Sequence, residues 1–324
     1  MARAIRIHHT GGPEVLQIED VEVGAPGAGQ ARIRQTAIGI NYIDTYHRTG
    51  LYPVPLPTGI GLEGAGVVEA VGADVTDLKA GDRVAYAGGP VGAYCTERVM
   101  PADRLVKLPE GISDQQGAAM MLKGMTVQYL VRSTYRVQAG ETVLFHAAAG
   151  GVGLIACQWL KALGVRVIGT VGSDEKAALA QAHGCECPVV YTREDFVARV
   201  KEITGGKGVP VVYDSIGKDT FDRSLDCLRP RGIMVLFGAA SGPVPPFDTQ
   251  ILAQKGSLFL TRPTLFAYTA SREDLVAAAT ELFQAVIAGK VKIEVSRTYP
   301  LADAQQAHRD LESRKTTGSL LLVP

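Results

Sequence analysis

The middle of the chain alternates short apolar runs with segments of helical periodicity. The apolar runs, each of which predicts a strand, lie at 143–145, 165–171, 188–191, 209–214, 233–238 and 257–261. The helical segments lie near 151–163, 174–183, 194–203, 219–228 and 249–254. This alternation predicts an α/β domain, a doubly wound six-stranded parallel sheet of the Rossmann type.

The residues before this part read differently. Short strands are predicted at 4–8, 15–23, 30–37, 66–71 and 82–86, separated by turns. They predict a compact β-rich domain, and two helices at 114–122 and 126–135 lead out of it. After the central part, an amphipathic helix at 272–288 and a closing strand at 318–323 are expected to return to this first domain. The predicted domains are therefore 1–122 with 265–324, and 123–264.

Composition narrows the class of protein. The 324 residues carry 33 Lys and Arg against 33 Asp and Glu, so the net charge is +0, and no basic stripe favours RNA as a partner. No apolar run approaches the ~20 residues of a membrane span. The first residues lack a signal-peptide core, and the five cysteines are scattered, as is typical of a reducing compartment. We therefore expect a soluble cytoplasmic protein with no membrane partner.

A glycine-rich turn follows the strand at 143–145. Its sequence from Ala148 is Ala-Ala-Gly-Gly-Val-Gly, so the first glycine of the dinucleotide pattern G-x-G-x-x-G is replaced by alanine. Gly150 and Gly151 would let the backbone approach a pyrophosphate, and Gly153 would let the helix pack on the sheet. The helix start, near Val152, offers N–H groups to phosphates. The alternative is a tight turn that only packs a helix on a strand.

The next strand end indicates which dinucleotide would bind. An NAD site usually has a carboxylate about 20 residues after the glycines, but Gly172 and Ser173 occupy that place. The Ser173 hydroxyl and Lys176 suit a 2′-phosphate, which favours NADPH. Asp174 and Glu175 would repel a phosphate, so they must point away if this interpretation holds. The alternative is that Ser173 only caps a helix and that Lys176 is a solvated helix lysine.

Several stretches together resemble one family over almost the whole chain. They are Gly-Ile-Asn-Tyr-Ile-Asp-Thr-Tyr at 39–46, Lys-Ala-Gly-Asp-Arg-Val at 79–84, the glycine turn at 145–153, Val-Tyr-Asp-Ser-Ile-Gly at 212–217 and Leu-Glu-Ser-Arg at 311–314. With these motifs the chain resembles the zeta-crystallin-like NADPH:quinone oxidoreductases, zinc-free members of the medium-chain dehydrogenase/reductase superfamily. In that family the alanine at 148 is typical.

The resemblance implies the architecture of the protein. A GroES-like catalytic domain would flank a Rossmann domain, with NADPH in the interdomain cleft. A homodimer would form through the nucleotide domain, by an edge strand at 233–238 or 257–261. Zinc-dependent relatives have Gly-His-Glu where this chain has Gly61, Leu62 and Glu63. Leucine cannot bind zinc, so the resemblance predicts no catalytic metal.

The resemblance also implies a set of cofactor contacts. The nicotinamide half would lie by Asn41, Tyr42, Asp44 and Tyr46. The pyrophosphate would lie by Tyr129, Gly150, Gly151, Val152 and Gly153, and the 2′-phosphate by Gly172, Ser173, Lys176 and Tyr191. The groove would be lined by Ile216, Gly217, Ser241 and Gly242. Phe266, Ala267, Tyr268 and Arg314 would close over the cofactor from the other domain.

The implied reaction is NADPH-dependent reduction of small ortho- or para-quinones. Asn41 and Tyr46 would donate hydrogen bonds to the quinone oxygen, and Tyr52 would wall the acceptor site. Either tyrosine could instead be a packing residue, and Arg314 could be a surface residue paired with Glu312. Two other functions stay open: an NADPH-dependent alkenal or enone reductase, and a non-enzymatic NADPH-binding protein, crystallin-like or RNA-binding.

Overall fold

The structure is a computed structural model that describes residues 1–313 and 315–324. These residues divide into two compact units. The first unit comprises Met1–Met125, Thr269–Ile287 and Ile293–Pro324, and the second comprises Thr126–Tyr268 and Ala288–Lys292. The division therefore falls at 125/126 and 268/269, whereas the sequence placed it at 122/123 and 264/265.

The N-terminal part of the first unit is built from short strands. They are β1 (Ala2–Ile7), β2 (Gln17–Val21), β3 (Gln30–Ile40), β4 (Thr58–Gly59), β5 (Glu63–Val71), β6 (Arg83–Ala87), β7 (Glu97–Pro101) and β8 (Val106–Lys107). Helix α1 (Tyr42–Thr49) follows β3, and α2 (Asp114–Tyr129) follows β8. Strand β3 alternates buried and less buried positions over its first half, which is the pattern of a half-buried strand. It pairs antiparallel with both β5 and β7.

Helix α2 corrects one detail of the sequence analysis. Two helices were predicted, at 114–122 and 126–135, but α2 is continuous to Tyr129 and is followed by a π-helical turn, Leu130–Thr134. Gly124 lies inside it. A Cβ atom at Gly124 would lie 2.5 Å from Leu282 Cδ1. This glycine therefore permits close packing, and it does not end the helix.

The second unit is one parallel sheet with helices between its strands. The strands are β9 (Thr142–Phe145), β10 (Arg166–Val171), β11 (Cys187–Val190), β12 (Val209–Asp214), β13 (Leu228–Leu236) and β14 (Phe259–Thr261). The helices are α3 (Gly151–Ala162), α4 (Asp174–Ala182), α5 (Phe196–Ile203), α6 (Phe221–Leu225), α7 (Gln250–Gln254) and α8 (Leu265–Tyr268). The strand order is β11-β10-β9-β12-β13-β14, and all pairs are parallel. The predicted six-stranded doubly wound sheet is confirmed.

Two strands of this sheet begin two or more residues away from their predicted starts. Strand β13 begins at Leu228, ahead of the predicted 233–238, and β14 begins at Phe259 instead of residue 257. Ser257 has a φ of 56°, a left-handed conformation that a strand does not contain. The order of the sheet reverses between β9 and β12. Ligands of doubly wound sheets bind at such a switch point, outside the carboxyl ends of the strands.

The last part of the chain belongs mostly to the first unit. It forms α9 (Arg272–Ile287), β15 (Val295–Pro300), α10 (Ala304–Glu312) and β16 (Ser319–Val323). Strand β16 pairs antiparallel with β3 and parallel with β15, which completes a seven-stranded sheet. The core beneath it is aliphatic, with Ile33, Ile38 and Leu322 at 0% exposure. Within residues 1–313 and 315–324, every helix is too short or too polar to cross a membrane.

Candidate active site

The glycine-rich turn joins β9 to α3. Ala147, a non-glycine residue, has a φ of 54°, and Gly150 is extended and caps α3. A Cβ atom at Gly153 would lie 2.3 Å from the Ala147 carbonyl oxygen, so only glycine fits there. The first N–H groups of a helix lack intrahelical partners, and together with the helix dipole they attract anions. The turn, with Gly151 and Val152 at the helix start, therefore suits a pyrophosphate.

The end of β10 forms a second anion-binding segment. Ser173 caps α4, and its Oγ accepts a hydrogen bond from the Lys176 amide at 3.3 Å. A Cβ atom at Gly172 would lie 3.0 Å from the Tyr191 hydroxyl oxygen, so this glycine lets the tyrosine approach the backbone. Tyr191 is 50% exposed. Partial burial lowers the pKa of Lys176. The four predicted phosphate residues lie on adjacent segments.

The two acidic residues of this segment behave differently from each other. Asp174 makes a two-pronged ion pair with Arg193, at 2.6 Å for each contact, so its charge is compensated. Glu175 accepts a hydrogen bond from the Ser173 hydroxyl, which lowers the pKa of Glu175. Glu175 therefore turns toward Ser173 in this structure, whereas the sequence interpretation requires it to point away from a bound 2′-phosphate. An exposed carboxylate gains a charge-assisted hydrogen bond from the nearest cap hydroxyl.

A third segment follows β12. Both carboxylate oxygens of Asp214 accept hydrogen bonds. Its Oδ1 accepts from the Ile216 amide at 2.7 Å and from the Gly217 amide at 3.0 Å. The Ser241 hydroxyl donates to the Ile216 carbonyl oxygen at 2.8 Å. A Cβ atom at Gly217 would lie 2.7 Å from the Gly242 carbonyl oxygen. The predicted groove residues Ile216, Gly217, Ser241 and Gly242 are thus in direct contact.

Tyr129 and Tyr268 stack in the second unit. Their ring centroids are 4.5 Å apart at an interplanar angle of 11°, and the Thr134 hydroxyl donates to the Tyr268 oxygen at 2.9 Å. Phe266 and Ala267 precede Tyr268 and are exposed. The sequence assigned 266–268 to the catalytic domain, whereas the structure groups them with the second unit. Arg314, the last predicted contact, lies outside the described residues.

In the first unit, Asn41 is the N-terminal cap of α1 and is 4% exposed. Its side-chain Nδ2 donates to Glu63 Oε2 at 2.8 Å, which identifies the atom facing Glu63 as nitrogen. Glu63 also accepts from the Leu122 amide at 2.7 Å and pairs with Lys123 Nζ at 3.4 Å. Glu63 is 0% exposed and the Lys123 side chain 8%, so this is a buried ion pair.

Asp44 is fully buried and not exposed to a ligand. Its Oδ2 accepts from the Asn41 amide and from the Tyr94 hydroxyl, both at 2.8 Å, while its Oδ1 has no hydrogen-bond partner. Burial raises the pKa of Asp44 to about 7, against the opposing effects of Asn41, Tyr94 and Lys123. Such a carboxyl group fixes the first turn of α1. Its geometry supports a role in positioning Asn41, and the direct cofactor contact of Asp44 stays a prediction.

The network continues behind Tyr94. The Tyr94 oxygen lies 3.1 Å from His308 Nε2, and Arg48 contacts His308 Nδ1 at 3.0 Å. Arg48 also makes a two-pronged pair with Glu312, at 3.0 and 2.7 Å. Burial, assisted by the charge of Arg48, lowers the pKa of His308 to about 3. His308 is therefore neutral, and it accepts at Nδ1 and donates from Nε2 to Tyr94.

Three tyrosines on or after α1 form an aromatic group. The Tyr42 and Tyr46 ring centroids are 6.1 Å apart, and those of Tyr46 and Tyr52 are 5.1 Å apart with the edge of one ring toward the other. The Tyr52 amide donates to the Tyr46 carbonyl oxygen at 3.1 Å, which fixes the loop after α1. The sequence-predicted acceptor residues Asn41, Tyr46 and Tyr52 thus belong to one segment of the first unit.

The sequence analysis missed several residues of this network. Glu63, Lys123, Tyr94, His308 and Arg48 were not assigned a role. One signal was available, because a single lysine in the apolar run Met-Met-Leu-Lys-Gly-Met at 120–125 needs a buried partner. Leu62 is 3% exposed in the core. Among the residues that the structure describes, no group of three or more His, Cys, Asp or Glu could hold a metal ion.

The two units define a class of protein, a dehydrogenase with a β-rich unit and a dinucleotide-binding unit. The alcohol dehydrogenase GroES-like domain family matches residues 27–110, and the zinc-binding dehydrogenase family matches residues 151–284. The predicted GroES-like fold is therefore confirmed. A quinone oxidoreductase of Pseudomonas aeruginosa is 56% identical over 325 residues, with all of both chains covered.

Two further relatives are informative. The structure of Escherichia coli quinone oxidoreductase complexed with NADPH has a TM-score of 0.98 and 53% identity, and the match covers 99% of this chain and 100% of that one. A 2-haloacrylate reductase of Burkholderia sp is 48% identical over 332 residues, with 100% of this chain and 99% of that one covered. The chain belongs to the quinone oxidoreductase family, in the zinc-free branch of the medium-chain dehydrogenases.

Proposed function

We propose that this protein reduces small quinones with NADPH and without a metal ion. The observation that carries the proposal is the 53% identity, over the full length, to an enzyme described as a quinone oxidoreductase and solved with NADPH. The site residues support the same function. The chain has a glycine-rich turn that suits a dinucleotide, and it has three tyrosines close to the buried side-chain amide of Asn41.

The residues of the second unit fit NADPH. Gly153 gives a helix start that no larger residue could form, and Gly172 leaves room beside Tyr191. Ser173 occupies the position where NAD sites carry a carboxylate, Lys176 supplies positive charge near it, and Arg193 compensates the charge of Asp174. NADPH, when bound, supplies the reducing equivalents of the reaction. The glycine turn would hold its pyrophosphate, and Ser173, Lys176 and Tyr191 its 2′-phosphate.

The acceptor half of the site would use the first unit. Asn41 Nδ2 has two N–H donors, and one of them is bound to Glu63. We assign the second donor to a quinone oxygen as negative charge develops on it. The rings of Tyr46 and Tyr52 form an apolar wall for a flat aromatic acceptor and would exclude water from it.

The buried network behind Asn41 orients residues and does not conduct protons. Each hydrogen bond runs in one direction, from Arg48 to His308 to Tyr94 to Asp44. A guanidinium stays protonated in proteins, so Arg48 cannot pass a proton into this chain. The network therefore holds the first turn of α1 in place. The hydroquinone product would take its protons from water.

Steady-state kinetics test this function. Oxidation of NADPH and of NADH should be followed with 1,4-benzoquinone as acceptor, in the presence of a metal chelator. We expect chelator-resistant turnover with a lower KM for NADPH than for NADH, since the 2′-phosphate adds charged contacts. A lower KM for NADH than for NADPH would contradict the proposed 2′-phosphate site, and absence of quinone turnover would contradict the proposed reaction.

A second candidate function is the reduction of an activated carbon–carbon double bond. The specific observation in its favour is the 48% identity to a protein described as a 2-haloacrylate reductase. The same assay with 2-chloroacrylate and with 2-alkenals as acceptors would test it. Turnover of an alkene that exceeds that of benzoquinone in kcat/KM would replace the quinone proposal with this one.

We further propose that the protein is a cytoplasmic homodimer. Strand β14 is an edge of the six-stranded sheet, and Phe259 on it is 61% exposed. Uncovered edge strands with exposed aromatic residues favour association, so pairing of two β14 edges would cover both features. Light scattering should give twice the chain mass. All five cysteines are unpaired, which suits a reducing compartment and can be checked by cell fractionation.

A further inference from the structure

A chain of buried polar side chains lies under the cofactor-binding edge of the second unit. His146 Nδ1 lies 2.9 Å from the Thr170 hydroxyl, and His146 Nε2 lies 2.9 Å from the Ser224 hydroxyl. Ser224 donates to Asp214 Oδ2 at 2.9 Å, and Thr220 donates to the same oxygen at 2.7 Å. His146, Thr170, Ser224 and Asp214 have exposures of 0 to 2%. None of them was assigned a role above beyond the contacts of Asp214.

The acceptor at one end fixes the direction of every hydrogen bond. Asp214 accepts hydrogen bonds from two amides and from the Thr220 hydroxyl, and the single proton of Ser224 is donated to it as well. Ser224 Oγ then accepts from His146 Nε2, which leaves His146 Nδ1 as the acceptor for the Thr170 hydroxyl. Thr170 Oγ1 in turn accepts from the Ala147 amide, at 3.4 Å. The arrangement requires a neutral His146, and burial lowers the pKa of His146 more than Asp214 raises it.

This set of hydrogen-bonded side chains contacts, at both of its ends, backbone segments that the proposed function assigns to NADPH. At one end, Ala147 begins the glycine-rich turn with its positive φ. Thr170, which lies on β10 next to Ala147 in this set, precedes Gly172 by two residues. At the other end, Asp214 Oδ1 holds the amides of Ile216 and Gly217. Ile216 is joined to Ser241 by two hydrogen bonds of 2.8 Å. Four separate cofactor segments are therefore connected through one set of side chains.

We propose that His146, Thr170, Ser224 and Asp214 are positioning residues for the dinucleotide, because they lock its binding turns into one arrangement before the cofactor arrives. The inference rests on the proposed NADPH site and adds to it the residues that preorganise that site. Prior ordering of a binding site raises affinity by lowering the entropy lost on binding. None of the four needs to touch the cofactor.

The residue types in this hydrogen-bonded set, a serine, a histidine and an aspartate, are those of a catalytic triad, but the order in which they are bonded excludes that function. Serine, histidine and aspartate form nucleophilic triads when histidine lies between the other two. Here Ser224 lies between His146 and Asp214, so its proton points to the carboxylate and the imidazole cannot take it. Ser224 is 0% exposed, so no substrate reaches its oxygen. The arrangement therefore orients its members and performs no chemistry.

The test is Ser224→Ala, which removes the central hydroxyl. We expect the Kd for NADPH to rise about tenfold, while kcat for benzoquinone at saturating NADPH stays within about twofold of wild type. Without cofactor, hydrogen exchange of the amides at 147–153 and 216–217 should become faster than in wild type. Ser319→Ala is the matched control, because Ser319 is 2% exposed and donates to the Ala119 carbonyl oxygen in the first unit.

The outcomes separate the two proposals. If wild-type protein does not bind NADPH in the titration, the cofactor site itself fails, and this inference fails with it. If wild type binds but Ser224→Ala keeps both its Kd and its exchange rates, only the positioning role is overturned. Thr170→Val, which nearly preserves shape, repeats the test if Ser224→Ala does not fold. In a double mutant, a connected chain predicts less than additive losses of affinity.

Discussion

The two buried polar networks of this protein are built on different principles. The network of the first unit contains five carboxyl, ammonium or guanidinium side chains, those of Asp44, Arg48, Glu63, Lys123 and Glu312, and it leaves Asp44 Oδ1 without a partner. The network of the second unit has one charged residue, Asp214, and each of its hydroxyl and ring atoms has a partner. The network of the first unit depends on ion pairs, whereas that of the second unit depends on hydrogen bonds whose donors and acceptors are each fixed.

The difference predicts different vulnerabilities. Removing one partner from a buried ion pair leaves a charge without compensation, which costs several kcal/mol. Removing the Ser224 hydroxyl leaves His146 Nε2–H without an acceptor, while Asp214 keeps its other donors. This change costs about 1 to 3 kcal/mol, and it mainly loosens the segments that these side chains hold. Substitutions in the first unit should therefore alter stability and pH dependence, whereas those in the second should alter cofactor affinity.

The largest effect is expected from Lys123→Met. It leaves Glu63 buried without its cation, so the free energy of unfolding should fall by about 3 to 5 kcal/mol in chemical denaturation. The double variant Lys123→Met with Glu63→Gln should recover part of that loss. It should not recover quinone turnover, because an amide at 63 cannot accept from both Asn41 and Leu122 as the carboxylate does. A single variant as stable as wild type would contradict the buried pair.

The next effect concerns pH. The pKa of Asp44 is raised from 3.8 to about 7, so the folded state holds this proton more tightly than the unfolded state. The stabilisation is complete at pH below 4 and is lost as the pH rises toward 7. Relative to Asp44→Asn, the wild-type free energy of unfolding should fall by about 1.4 kcal/mol per pH unit in this window. Parallel curves for the two proteins would show that Asp44 is already ionised.

A smaller effect is expected at the phosphate segment. Glu175→Gln removes the carboxylate that accepts from Ser173, so the Kd for NADPH should fall about threefold while that for NADH stays the same. Glu202→Gln, an exposed glutamate paired with Arg199 on α5, is the control. An equal gain for NADPH and NADH would show that the 2′-phosphate does not lie beside Glu175.

Much of the fold could be predicted because its strands, helices and turns are determined by residues close together in the sequence. Each strand of the parallel sheet is a continuous apolar run, and the glycines of the turn mark its position. The exact start of β13 could not be predicted, since Leu228 enters the sheet by pairing with Val209 of β12, ahead of an irregularity in the register. The continuity of α2 through Gly124 could not be predicted either, because this glycine is required by a tertiary contact with Leu282.

The candidate site was predictable only in part. Motif residues such as Asn41, Gly153 and Ser173 stand at element ends, where sequence patterns are strong. His308 and Tyr94 lie 214 positions apart and meet only in the folded unit. No periodicity or spacing reports such a pair, and a buried histidine resembles any other core residue in a single sequence. Glu63 was noticed only for the leucine beside it, because its partners are on α2 and at the start of α1.

The most direct measurement of the division between the two networks compares Ser224→Ala with Tyr94→Phe. For each, the Kd for NADPH and the kcat/KM for benzoquinone are measured on one preparation. We expect opposite patterns in the two variants: weaker NADPH binding for Ser224→Ala, and lower quinone kcat/KM with unchanged NADPH affinity for Tyr94→Phe. Equal losses of both quantities in both variants would contradict it, because the two networks would then act as one.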